Sequence, residues 1–143
     1  MKRLLTALLL LLATTACAGG MQGGGGGPTT AAGSAAARVV DAYAAAYNRH
    51  DLDEFLGLFA PNARIYLHPN EVVTSGTQQL RARYRDQWRE NPRLRLQKQG
   101  RMVQGNFVID SEHSVGWADN QDVRVVAIYE VRNGRIQNVW YIR

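Results

Sequence analysis

The sequence predicts an α+β domain: three helices, set toward the N-terminal side, packed on one face of a curved, mostly antiparallel sheet. Apolar residues recur at helical spacing in three segments ahead of residue 90. Beyond Leu94 that spacing gives way to extended runs separated by tight turns, Asn133-Gly134 being the dipeptide most favoured in two-residue hairpins. With 143 residues, 45% of them apolar, the chain is long enough for one core, and it carries no internal repeat.

Ala35 to Asn48 is Ala-rich and places Val40, Tyr43 and Tyr47 on one stripe, which predicts the first helix. In "DLDE", Asp51 is an N-cap and Glu54 stands at the capping-box position three residues on. Leu52, Phe55, Leu56 and Phe59 supply that helix's apolar face, and Pro61-Asn62 should end it. "ARIYLH" predicts a strand from Ala63 to about His68, and Val72 to Thr74 a second. Leu80, Tyr84 and Trp88, four residues apart, predict a third helix from Thr77 to Arg89. Strands follow at Leu94–Val103, Phe107–Trp117, Val123–Arg132 and Ile136–Ile142. The fourth of these six strands in chain order, Phe107–Trp117, carries Asp110, Glu112 and His113 among apolar residues. The fifth is apolar on both faces, with Val125, Ala127 and Tyr129 on one and Val126 and Ile128 on the other. A sheet with one wet face alternates cleanly, so this pattern predicts a homodimer packed against the outer face.

Ahead of the domain, "MKRLLTALLLLLATTAC" sets Lys2 and Arg3 before a short apolar run, the pattern of an export signal. Small residues lead to Cys17, the only cysteine, and this resembles the lipobox of bacterial lipoproteins. The resemblance implies a signal peptide over residues 1–16, a lipidated Cys17 (palmitate or similar chains) and attachment to the envelope. Each buried CH₂ would contribute about 0.8 kcal/mol to anchoring. Ala18 is not the Asp associated with inner-membrane retention, which implies the periplasmic side of the outer membrane. Cleavage after Ala18, giving a secreted or periplasmic soluble form, stands as the alternative. Residues 17–33 are rich in Gly and Ala and predict a tether with a reach on the order of 20–25 Å; residues 34–143 are the folded domain. A lone cysteine allows no intrachain disulfide and no thiolate cluster.

The formal charge is +5, and without Lys2 and Arg3 fifteen basic residues exceed twelve acidic ones by three. Eight basic residues lie between Arg81 and Arg101, which reads as a solvated helix face running into an exposed strand, with a patch for anionic lipid as the alternative. Nucleic acid is not expected as a partner of an exported chain. The three histidines, His50, His68 and His113, lack ligand spacing, so no metal is expected. No phosphate loop, nucleophilic-serine motif or dinucleotide fingerprint occurs, so no cofactor is expected.

The order of elements, with "YNRHDLDEFLGLFAPNARIY", "SGTQQLRARY", "GNFVIDSE" and "VAIYEVRNGRIQNVWYI", resembles the SnoaL-like branch of the nuclear transport factor 2-like superfamily over nearly all of residues 34–143. The resemblance implies a cone: a bent sheet wrapped by three helices and open at one end onto a pocket. Its members include ketosteroid isomerases, polyketide cyclases, epoxide hydrolases, dehydratases and proteins that only bind, so it does not decide the chemistry. Tyr43 aligns with the isomerase tyrosine that donates to the enolate oxygen. The isomerase's general base aligns with Leu67, beside His68, and its second acid with Ala127 or Ile128. The Arg-Asp-Asp set of limonene epoxide hydrolase is not recognisable.

The candidate catalytic residues are therefore Tyr43, His68, Glu112 and Asp110. Tyr43, Tyr47, Trp88, His113, Trp117 and Trp140 are candidates for ligand binding. For the fourth strand two readings stand. Parity puts Phe107, Ile109, His113, Val115 and Trp117 on one face, and its apolar character points that face, with His113, into the cavity. Relatives with "VIDHE" instead imply that Asp110 and Glu112 are functional, and a bulge near Ser111 would reconcile the two. Otherwise the acids are a stripe paired with Arg95 or Arg101. Three functions are open: binding of a small, largely apolar molecule; acid–base chemistry of the isomerase or dehydratase type; and a protein-interaction module of the envelope.

Overall fold

A computed structural model describes residues 30–143. The expected export signal, Cys17 and most of the expected tether lie outside the described residues. Among those described, no helix is long and apolar enough to cross a membrane.

Helix α1 (Ala31–Arg49) starts four residues earlier than the spacing predicts, because the Thr30 side chain accepts a hydrogen bond from the Gly33 amide. Ala31 to Gly33, assigned above to the tether, form its first turn. Helix α2 (Leu52–Gly57) is capped by Asp51, whose carboxylate accepts from the Glu54 amide at 3.0 Å. The reciprocal half of the box does not form: Glu54 pairs with Arg49. Pro61-Asn62 does not end this helix. It stops at Gly57, and strand β1 (Phe59–Leu67) already contains Phe59, Pro61 and Asn62. Strand β2 (Glu71–Ser75) leads into α3 (Gly76–Glu90), and β3 (Arg95–Gln104), β4 (Phe107–Val115), β5 (Val123–Arg132) and β6 (Arg135–Ile142) follow.

The six strands form one sheet in the order β2-β1-β6-β5-β4-β3. Every pairing is antiparallel except β1 with β6. That single parallel pair brings the chain's last strand against its first, so residues far apart in sequence share the sheet's centre. Helices α1 and α3 cover one face. Their stripes of Val40, Tyr43, Tyr47 and of Leu80, Tyr84, Trp88 are buried, as their spacing predicts. With Phe55 they form an aromatic cluster; Phe55 and Tyr84 centroids are 4.4 Å apart and Tyr43 and Phe55 5.1 Å. Burial of each such ring is worth roughly 1.5–3 kcal/mol.

Two asparagines close gaps that main-chain pairing leaves. Asn48, near the end of α1, accepts from the Leu96 amide at 2.7 Å and donates to the Leu96 carbonyl at 2.9 Å, fastening α1 to edge strand β3. Asn91 accepts from the Ala118 amide at 2.9 Å and holds the β4–β5 loop. Strand β4 ends two residues before its predicted limit because Gly116 has φ +87° and packs against the Arg93 carbonyl; a Cβ there would stand 2.2 Å from that oxygen. The turn this allows carries Trp117.

Candidate functional site

The concave face of the sheet and the two long helices enclose a cavity of about 160 Å³. Tyr43 and Tyr47 of α1 and Arg83, Tyr84 and Gln87 of α3 line one side. Glu112 and Ser114 of β4, Tyr141 of β6 and the following Arg143 line the other, with Trp117 from the β4–β5 loop. Leu67, Val73, Leu96 and Val125 make the apolar wall.

Strand β4 decides which acid can act. It alternates without a bulge: Val108, Asp110 and Glu112 are buried on the helix-covered face, and Phe107, Ile109 and His113 are on the other. Parity is as the sequence predicts, but the apolar face is not the concave one. The bulge lies on the neighbouring strand, at Gln99, where β3 slips between Lys98 and Gly100 opposite Ser111 and Glu112. His113 therefore points away from the cavity and pairs with Asp122 at 2.9 Å.

The two inward acids differ. Both Asp110 oxygens accept from Arg101, Nε and Nη2 each at 2.7 Å, and the same guanidinium reaches Asp41 of α1 at 2.8 Å. Asp110 does not line the cavity; it is half of a structural ion pair that ties β4, β3 and α1 together. Glu112 does line it. Burial raises its carboxyl from the ordinary value to about 7, the Tyr129 hydrogen bond and Arg101 lower it, and Asp110 adds to the rise. The Tyr129 hydroxyl donates to Glu112 Oε1. It reaches across from β5 because the residue between them on that face is Ala127.

Hydroxyls continue from this pair. Tyr43 meets Tyr129 ring to ring at 5.1 Å and bonds the Tyr141 hydroxyl at 3.1 Å. Tyr47 accepts from Gln87 at 2.8 Å. Burial pushes Tyr43, Tyr129 and Tyr141 well above the usual phenol range, so each remains a neutral donor. The array is one carboxyl that changes charge near neutrality beside several phenols that do not.

Of the residues singled out from sequence, Tyr43, Tyr47, Glu112 and Trp117 line the cavity, and the others do not. His68 is exposed beyond the end of β1, where its amide donates to the Tyr141 carbonyl at 2.9 Å. Trp88 is core and stacks on His50 at 5.1 Å. Trp140 stacks on Tyr66 at 5.3 Å on the outer face. Tyr129, Tyr141, Tyr84, Gln87, Arg83 and Arg143 were missed. Alternation along β6 places Val139 and Tyr141 on one face, but nothing local says that the face meets Tyr43. Among the described residues no group of three potential ligands is placed to hold a metal.

No curated protein matches the chain. Among solved structures it is similar to an uncharacterized cystatin-fold protein from Novosphingobium aromaticivorans, with 22% identity, TM-score 0.70, and 76% of this chain and 97% of that one covered. It is similar to a protein from Jannaschia sp. CCS1 provisionally assigned as a SnoaL-like polyketide cyclase, with 18% identity, TM-score 0.68, and coverage of 81% and 90%. It also resembles a protein from Kribbella flavida provisionally assigned as a ketosteroid isomerase, with 17% identity, TM-score 0.66, and coverage of 76% and 77%. These likenesses establish the cystatin or nuclear transport factor 2-like fold. The family model for the SnoaL-like domain matches residues 40–139, and with the helix-wrapped sheet and its cavity in place this chain belongs to the SnoaL-like domain family.

Proposed function

We propose that the cavity binds a small, largely apolar molecule bearing a carbonyl group and moves a proton on it. The observation that carries this reading is the pairing, in one cavity, of a carboxyl held near pH 7 with tyrosine donors. Ionised Glu112 takes a proton from the carbon beside the carbonyl, and the C–H electron pair moves into an enolate. The Tyr43 hydroxyl, exchanging its bond to Tyr141 for one to the ligand, donates to the enolate oxygen. Glu112 then returns the proton to another carbon, an isomerisation, or protonates a departing hydroxyl, a dehydration. Binding without turnover is the second reading. It is favoured by the lack of another free acid, since Asp110 is committed to Arg101.

Exchange of ligand α-protons for deuterium, followed by NMR with small ketones and keto acids, separates the two. The rate should rise with pH and level off above about 7, because the base must be ionised and Glu112 titrates there. Tyr43→Phe should lower it about tenfold to a thousandfold, by loss of one donor to the enolate. Binding with no exchange above the buffer rate would leave only the second reading.

The outer sheet face supports a homodimer. Val72, Tyr66, Trp140, Ile128, Ile109 and Met102 stand opposite one another across all six strands, an apolar stripe with Val72 49% and Met102 61% exposed. Ile128→Lys should convert a dimer to a folded monomer in sedimentation equilibrium; a wild-type monomer at micromolar concentration would end this reading. The residues ahead of the domain support export and anchoring through Cys17. Cys17→Ser should move the chain from the membrane to the soluble envelope fraction, and an unchanged distribution would refute lipidation.

A further inference from the structure

Helix α3 carries a row of arginines, and the structure sorts them. Arg81 pairs with Asp53 at 2.8 Å, Arg85 with Asp86 at 3.1 Å and Arg89 with Asp86 at 3.0 Å. Arg83, the one that lines the cavity, forms no ion pair among the described residues, nor does Arg143 on the facing strand end. The side chains lining the cavity therefore include two guanidinium groups without an ion pair among the described residues and one carboxyl, that of Glu112. Both arginines are exposed at its rim, and Glu112 is buried within.

The charges are also separated. Arg83 acts on the buried Tyr84 hydroxyl, whereas the charges acting on Glu112 are those of Asp110 and Arg101. An anion bridging Arg83 and Arg143 would be held by a forked donor that fits a carboxylate, while the rest of the molecule ran inward along Val73, Leu96 and Val125 toward Glu112. At about 160 Å³ the cavity is smaller than most small-molecule sites, which favours a short chain for the buried part.

Resting on the reading of the cavity as a ligand site, we infer that its ligand is a short-chain carboxylic acid with an oxo group or double bond, its carboxylate held at the rim by Arg83 and Arg143. A polycyclic ketone calls for more room than this cavity offers. The rim selects the anion and the inner end does the proton chemistry, so specificity and turnover reside in different residues.

The test is calorimetric titration of the whole protein with 4-oxopentanoate, its uncharged amide 4-oxopentanamide, and inorganic phosphate. The acid should bind at least about tenfold more tightly than the amide, a difference of about 1.4 kcal/mol. In Arg83→Gln/Arg143→Gln that preference should shrink to about twofold with the amide's affinity and the melting temperature unchanged, since both side chains are exposed and unpaired. Equal binding of acid and amide, or displacement of the acid by equimolar phosphate, overturns the inference and leaves the ligand-site reading intact. Absence of binding by both organic probes overturns the ligand-site reading together with the inference.

Discussion

Glu112→Gln should abolish proton transfer and, above neutral pH, make the protein more stable. Glu112 is 4% exposed, and its carboxyl is raised from 4.5 to about 7 by burial. A carboxyl raised on folding binds its proton more tightly in the folded state. Its stabilising contribution is full below about pH 4.5, declines as pH rises, and is gone above about 7. The span corresponds to on the order of 2–3 kcal/mol between those limits. Glutamine keeps the shape and can still accept from Tyr129, but never ionises. Urea denaturation should therefore find variant and wild type equal near pH 4 and the variant more stable by on the order of 2 kcal/mol at pH 8. Exchange of ligand α-protons should drop about a hundredfold to ten-thousandfold in the same variant. A variant less stable than wild type at pH 8 would mean that the ionised carboxylate is well solvated or well paired, and the near-neutral acid would be lost as an explanation of the site.

Arg101→Leu should be the most destabilising single change among the charged residues. It leaves Asp110, 3% exposed at its side chain, without the two hydrogen bonds that hold it, and it cuts the link from β3 to Asp41 on α1. Removing one partner of a buried pair costs about 3–5 kcal/mol, chiefly because the other charge stays buried. Arg101→Met with Asp110→Leu should recover most of that loss, since an apolar pair of similar volume avoids the desolvation cost. A double-mutant cycle on thermal or urea midpoints measures both. A loss below about 1 kcal/mol for Arg101→Leu would place the pair with solvent-screened surface bridges.

Much of the fold was legible because its signals are local. Asp51 caps α2 through an amide three residues away. The stripes of α1 and α3 are repeats within one helix, and Asn133-Gly134 sets the hairpin between neighbouring strands β5 and β6. The fifth strand's two apolar faces were equally plain, because alternation along a strand is a property of that strand alone. Misplaced boundaries have local causes too. Thr30 extends α1 backward, and Phe59, apolar enough for either element, joins β1 in parallel with Ile136, a partner seventy-seven residues on.

The site was half legible. The sequence by itself determined most of the elements, their order, the parity of β4 and β5 and a shortlist containing Tyr43, Tyr47, Glu112 and Trp117. It did not determine which face of β4 is inside, since a strand's pattern names two faces and only the helices packed on one of them choose. Asp110 and Glu112 look alike two residues apart; one is neutralised by Arg101 across a strand pair, and the other is left near pH 7 with Tyr129 seventeen residues later. Tyr141 and Arg143 reach the cavity through the parallel pairing of β6 with β1, and Arg83 is distinguished from Arg81, Arg85 and Arg89 by forming no ion pair among the described residues. Each of these is decided by residues remote in the chain. Whether a buried or rim charge is neutralised, shifted or left free depends on what stands within a few ångströms of it, and only the tertiary structure brings those neighbours together.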